Sequence, residues 1–110
     1  MVVIDTNIII RRVKNKEKIP ENITEISIIE YPPILNYENF KGKVYLIERR
    51  DIIKSIELQK KLRRIGLPKG VADLLIAAIC INRNEKLLTT DKDFLDIAEI
   101  SELNVELLDE

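Results

Sequence analysis

Histidine and tryptophan are both absent from this sequence of 110 residues, and cysteine occurs once. Without histidine, Ser-His-Asp and Cys-His nucleophilic centres, imidazole acid–base chemistry and the His-containing zinc sites are excluded. A single cysteine excludes an intramolecular disulfide, and Cys80, set in an apolar run, is expected to be a buried, inert thiol. Neither a GxxxxGKS/T loop nor a GxGxxG fingerprint occurs, so no P-loop or Rossmann turn is present to cradle a nucleotide phosphate. The longest unbroken apolar run, 74–81, falls far short of a bilayer span, and the first apolar stretch carries Asp5 where a secretion signal would carry basic residues. A cytoplasmic protein without a membrane partner is therefore expected. Net charge is only -1, which rules out bulk electrostatic attraction to nucleic acid and leaves that question to local charge.

What is present is a composition of 45% apolar and 34% charged residues, that of a soluble globule, and a length that fits one domain, 1–110. Residues 1–5 read as a buried strand, and a helix follows over about 7–13. The segment ENITEI suggests a brief strand, and SIIE has the form of a capping box in which Ser27 caps and Glu30 closes. VYLI (44–47) reads as a strand, and Asp51 as the N-cap of a long helix to 65, stopped by Gly66 and Pro68. On that helix Lys54, Glu57, Lys61 and Arg64 recur as a solvent stripe, leaving Ile56, Leu58, Leu62 and Ile65 for the buried side. An almost wholly apolar helix over 71–82, a strand LLTT (87–90), a helix in DKDFLDIAEI and a last strand VELL (105–108) complete the pattern. Strands alternating with helices, without a hairpin turn, predict an α/β fold with a central, mostly parallel sheet covered on both faces.

In parallel α/β sheets ligands bind at the carboxyl ends of the strands, where the strand order reverses. Asp5 ends the first strand, Glu30 follows the second, and Asp91 and Asp93 follow LLTT; Asp73 is the one charge in an otherwise apolar helix. Taken singly each has a structural explanation: Asp5 or Asp91 as an N-cap, Glu30 in its capping box, Asp73 at a helix start. Together they would converge on one sheet edge. Two like charges about 4 Å apart repel by roughly 4 kcal/mol at an effective dielectric of 20, so such a cluster needs a cation. All-oxygen ligands favour Mg²⁺ or Mn²⁺, and the chemistry that follows is phosphodiester hydrolysis.

The segments VIDTN, SIIE, ADLLIAA and TTDKDF, in this order and spacing, resemble the acidic motifs of PIN domains, and more narrowly the small VapC-type toxins of prokaryotic toxin-antitoxin pairs, archaeal ones especially. The resemblance implies a three-layer α/β/α sandwich and a Mg²⁺- or Mn²⁺-dependent endoribonuclease. Carried over by residue, Asp5, Glu30, Asp73 and Asp91 match the catalytic, metal-holding acids, and Asp93 a more peripheral one. Thr6, Asn7 and Thr90 would orient them through hydrogen bonds. Lys60, Lys61, Arg63, Arg64 and Lys69 are candidates for guiding an RNA backbone, though exposed Lys and Arg are also ordinary on a solvated helix face. The family further implies a homodimer and an antitoxin whose tail covers the acidic pocket, and the apolar segments IIIRRV and SIIEYPPIL are compatible with either interface or with added core.

Two other folds gather acids at strand ends. A response-regulator receiver needs adjacent acids after its first strand, and a haloacid-dehalogenase-type phosphatase needs DxDxT; neither is found here. An RNA-processing PIN nuclease and a catalytically silent PIN-like binding domain remain as alternatives to a toxin.

Overall fold

The computed structural model describes residues 1–109. Strand β1 (Val2–Ile4) leads directly into helix α1 (Thr6–Lys14), and a short strand β2 (Ile23–Thr24) into helix α2 (Glu25–Glu30). A 3₁₀ turn (Pro32–Asn36) and strand β3 (Val44–Tyr45) precede the antiparallel-packed pair α3 (Arg49–Arg64) and α4 (Val71–Asn82), joined by residues 65–70. The chain then runs through β4 (Lys86–Thr89), α5 (Asp93–Glu99) and β5 (Asn104–Leu107).

Every strand pairing is parallel: β1 lies beside β4 and β4 beside β5, while β2 lies beside β3. The two groups meet where the backbone of Asn22 clips onto β1, donating to Val2 O at 2.9 Å and accepting from Ile4 N at 3.0 Å. The resulting order, β3-β2-β1-β4-β5, grows outward in both directions from β1, which puts the reversal of strand order between β1 and β4. A ligand crevice is expected there, beyond the carboxyl ends of those two strands.

Strand alternation builds the layers. Val3 and Leu87 point into a core with Leu58, Leu62, Ile76, Ile79, Phe94 and Ile97 from α3, α4 and α5. Ile4 and Leu88 point the other way, toward Ile8 and Ile9 of α1 and Ile34 of the 3₁₀ turn. With both faces covered, the sheet forms the middle of the expected α/β/α sandwich. Cys80 is fully buried and its thiol pKa is pushed up by burial, in keeping with an inert side chain. Among the described residues no helix is long and apolar enough to cross a membrane.

Several expectations fail at particular residues. Helix α2 begins at Glu25, so Ser27 is not its cap and Glu30 stands at its C-terminal end; Thr24 is the N-cap. Strand β3 stops at Tyr45, leaving Leu46 60% exposed. Asp51 is not an N-cap either. Helix α3 starts two residues earlier, with Glu48 as N-cap and Asp51 closing the capping box from inside. The buried stripe of α3 is Asp51, Ser55, Leu58 and Leu62, with Ile56 and Ile65 each 53% exposed. Hydropathy misreads the phase of this helix because its buried face begins with two polar residues.

Asp51 is buried completely because its carboxylate is fully satisfied. Arg83 donates to Oδ1 at 2.8 Å and to Oδ2 at 3.1 Å, Asn82 to Oδ1 at 2.9 Å, and the Glu48 N–H to Oδ2 at 2.8 Å. Burial alone would raise this carboxyl; the Arg83 fork, with Asn82 and the Glu48 amide, holds it below its ordinary value instead. The network pins the start of α3 to the end of α4. Arg83 also lies over the Tyr45 ring, 5.3 Å from its centroid, tying β3 to the same point.

Gly42 marks a close approach of two backbones. A Cβ there would stand 1.8 Å from the carbonyl oxygen of Glu21, in the segment whose next residue, Asn22, joins the two parts of the sheet. Gly42→Ala is expected to lower stability by about 1–3 kcal/mol, as overpacking against unyielding backbone does. A urea midpoint no lower than that of the parent would contradict this packing.

Candidate metal centre

The cleft at the β1/β4 switch point has a volume of about 300 Å³ and is lined by Asp5, Thr6, Asn7, Ile10, Glu30, Asp73 and Asp91. Four carboxylates from four parts of the chain thus face one space, and each is delivered by a different local device. Asp5 follows β1 and is the N-cap of α1, its Oδ1 accepting from the Thr6 N–H at 2.7 Å. Its other oxygen, Oδ2, accepts from the Thr89 hydroxyl at 2.8 Å. The carboxylate is therefore held at both oxygens, one tie from the first residue of α1 and one from the last residue of β4. Capping and site placement are here the same contact.

Glu30 is drawn into the cleft from the end of α2. Thr6 Oγ1 donates to Glu30 Oε1 at 2.6 Å and lies 2.8 Å from Ser27 Oγ. Since Thr6 spends its single hydroxyl proton on Glu30, Ser27 is the donor to Thr6. The S-x-x-E spacing acts not as a capping box but as two neighbours on one helix face. Asp73 enters from the first turn of α4, and Asp91 from the loop after β4, where its N–H donates to Thr89 Oγ1 at 3.0 Å.

Thr89 and Ser27 are the residues that sequence reasoning missed. Thr90 was the expected partner, but the hydroxyl that holds Asp5 belongs to the preceding residue, which faces inward by strand alternation and is fully buried. Thr6 bonds Asp5 through its backbone N–H and Glu30 through its hydroxyl. Asn7 lies exposed on the rim, with no side-chain hydrogen bond to the acids among the described residues. Asp93 stands outside the cleft lining, although its carboxylate has an oxygen within 4.8 Å of oxygens of both Asp73 and Asp91.

Lys69 does not offer a free ammonium to RNA. Its side chain is 9% exposed, bonded to Asp96 Oδ2 at 2.6 Å and 3.6 Å from Asp93 Oδ1. Lys60, Lys61, Arg63 and Arg64 are exposed on the last turns of α3, at the end from which residues 65–70 lead into α4 and Asp73.

Charge crowding registers in the acids themselves. Asp73 is pushed up to about 6, by burial first and then by Asp91, Asp5, Asp93 and Glu30. Asp5 is also raised, by burial above all, despite the bonds from Thr89 and Thr6 that favour its ionised form. Among the described residues no basic side chain lines the cleft. An all-oxygen set of convergent carboxylates without a resident counter-charge matches what a hard divalent cation requires, so the residues present fit Mg²⁺ or Mn²⁺.

Residues 35–100 match the family model described as PIN domain. This chain belongs to the PIN domain family. The matched stretch contains Asp73 and Asp91, whereas Asp5 and Glu30 precede it and join them only through the fold. Comparison with curated proteins gives no match. Among solved structures, this PIN domain is similar to a chain of VapBC2 from Rickettsia felis, solved bound to a DNA fragment from its promoter, with TM-score 0.75, 20% identity and coverage of 99% of this chain and 100% of that one. It is likewise similar to a chain of DNA-bound VapBC from Salmonella typhimurium, with TM-score 0.76 and 18% identity, covering 96% of each chain. For VapBC-1 from nontypeable Haemophilus influenzae the values are 0.73 and 21%, covering 97% of this chain and 98% of that one. At these identities the likeness is one of fold.

Proposed function

We propose that this PIN domain is a Mg²⁺- or Mn²⁺-dependent endoribonuclease, the toxin of a type II toxin-antitoxin pair acting in the cytoplasm. The observation that carries the reading is the convergence of Asp5, Glu30, Asp73 and Asp91 on one cleft at the switch point of a parallel sheet. The similarity in fold to chains of VapBC complexes supports an antitoxin partner. Ile29 and Leu35, each 69% exposed near Glu30, offer apolar surface compatible with an antitoxin or a second copy of the chain.

In this mechanism Asp5, Glu30, Asp73 and Asp91 would hold the ion. Bound there, the ion would supply Lewis-acid stabilisation of the phosphoryl oxygens and activation of water. Asp5 needs no rearrangement, because Thr6 and Thr89 already fix both its oxygens. Thr6 does the same for Glu30, which would otherwise swing freely from the end of α2. The Lys60 to Arg64 segment would attract the RNA backbone toward the cleft, at an affinity that falls with salt.

The test is cleavage of single-stranded RNA by the purified protein. Activity is expected with Mn²⁺ or Mg²⁺ and lost with a chelator, and expression alone is expected to arrest growth. RNA left intact at all metal concentrations would refute the nuclease reading.

A further inference from the structure

Lys69 sits just before Gly70, the N-cap of α4, and is fixed at both ends. Its backbone is gripped by one side-chain amide: Gln59 Nε2 donates to Lys69 O at 2.7 Å, and the Lys69 N–H donates to Gln59 Oε1 at 3.0 Å. Its ammonium is anchored on Asp96 at 2.6 Å, and the pKa is raised, chiefly by that bond. A lysine held this way is a stationary positive charge rather than a flexible arm. It stands 3.6 Å from Asp93 Oδ1.

Asp93 is the fifth acid of the neighbourhood. Its carboxylate reaches within 4.8 Å of Asp73 and Asp91, close enough for the three to share a cation, yet it stays out of the cleft. Two constraints act on it: the ammonium of Lys69, and the turn in which the Asp93 N–H donates to Asp91 Oδ1 at 2.9 Å. In a two-ion centre the ions lie about 3.5–4 Å apart, and Asp93, beside Asp73 and Asp91, is the carboxylate outside the cleft lining placed to share a second one. Lys69 already sets a positive charge beside one oxygen of that carboxylate.

We propose that Lys69 is a positioning residue whose fixed ammonium neutralises Asp93 and keeps it from completing a second cation site, so that the cleft takes one divalent ion. The inference rests on the metal centre proposed above. It concerns the number of ions, which that proposal leaves open.

The test is calorimetric titration with Mn²⁺, combined with Mn²⁺ electron paramagnetic resonance, on the whole protein and on Lys69→Met, Lys69→Gln and Lys69→Arg. The parent and Lys69→Arg are expected to bind one equivalent with an isolated-ion spectrum. Lys69→Met and Lys69→Gln are expected to bind two, with the broadened spectrum of a coupled pair, and adding Asp93→Asn to either is expected to restore one. Lys69→Gln can still bond Asp96, so the comparison survives if the methionine variant misfolds. One equivalent in every variant would overturn the inference while leaving the metal centre intact, as would a second equivalent that persists with Asp93→Asn. Two equivalents in the parent would do the same, and no binding in the parent would overturn both proposals.

Discussion

Asp73→Asn is expected to reduce RNA cleavage by more than about 100-fold and, in the same molecule, to raise the melting temperature of the metal-free protein. The first effect follows from its place among the acids proposed to hold the ion: loss of an outer hydrogen-bond partner alone costs roughly 10- to 100-fold in metal sites, and loss of a ligand costs more. The second follows from the sign of its perturbation. Asp73 is raised from 3.8 to about 6 in the fold, so ionising it opposes folding. The penalty is absent below pH 3.8, grows as pH rises toward 6, and is fully present above that. At neutral pH the asparagine variant escapes it. After allowance for solvent in the open cleft the gain is on the order of 1 kcal/mol, or roughly 4 °C in a domain of this size. Acidifying the metal-free parent from pH 7 to pH 5 is expected to stabilise it through the same group, and the pH dependence is expected to flatten in the variant. An inactive variant that melts below the parent at pH 7 would show that Asp73 serves the fold rather than a cation.

Asp51→Ala is expected to have the opposite character, a loss of about 3–5 kcal/mol of stability. The substitution removes the bidentate partner of Arg83, whose side chain is 10% exposed, and strips Asn82 and the Glu48 N–H of their acceptor. The mutation leaves the guanidinium with the exposed Glu48 carboxylate, 3.2 Å away, as its remaining partner, a poor substitute for a buried two-pronged one. Because Asp51 is held below its ordinary value, its contribution is present above about pH 4 and is lost as pH falls further. Chemical denaturation at neutral pH checks the size of the effect, and a midpoint within experimental error of the parent would contradict the network described. Opposite responses to acid at Asp73 and Asp51 would separate the carboxylate proposed to hold a ligand from one held for the fold.

How far these roles could be seen in the sequence depends on whether burial and chemistry coincide in one residue type. Asp5 and Asp73 are conspicuous because each is a charge inside an apolar segment, and Asp91 because it follows a strand. The parallel three-layer arrangement was legible in the same way, from strands and helices that alternate without hairpins. Thr89 was not legible, because a threonine in a strand is ordinary and nothing in LLTT says which of the two faces inward. Glu30 was singled out by a spacing that holds, although the capping box inferred from it does not exist; the helix begins two residues before Ser27. Asp51 was misread because a polar residue at a helix start is usually a cap, and only the distant Arg83 and Asn82 make its complete burial possible. The exposed Ile56 and Ile65 follow from that same displaced stripe. Lys69 looked like one more surface cation, since its partners Asp93 and Asp96 lie far along the chain, on α5. Contacts between separate segments carry most of what hydropathy and spacing could not.

The account's central claim is that Asp5, Glu30, Asp73 and Asp91 are brought together to hold a divalent ion, and anomalous diffraction from crystals grown with Mn²⁺ tests it most directly. The expected result is an anomalous peak inside the cleft, with carboxylate oxygens of Asp5 and Asp73 about 2.0–2.2 Å from it. A cleft without a peak at saturating Mn²⁺, or a Mn²⁺ ion bound by other residues instead, would contradict the account.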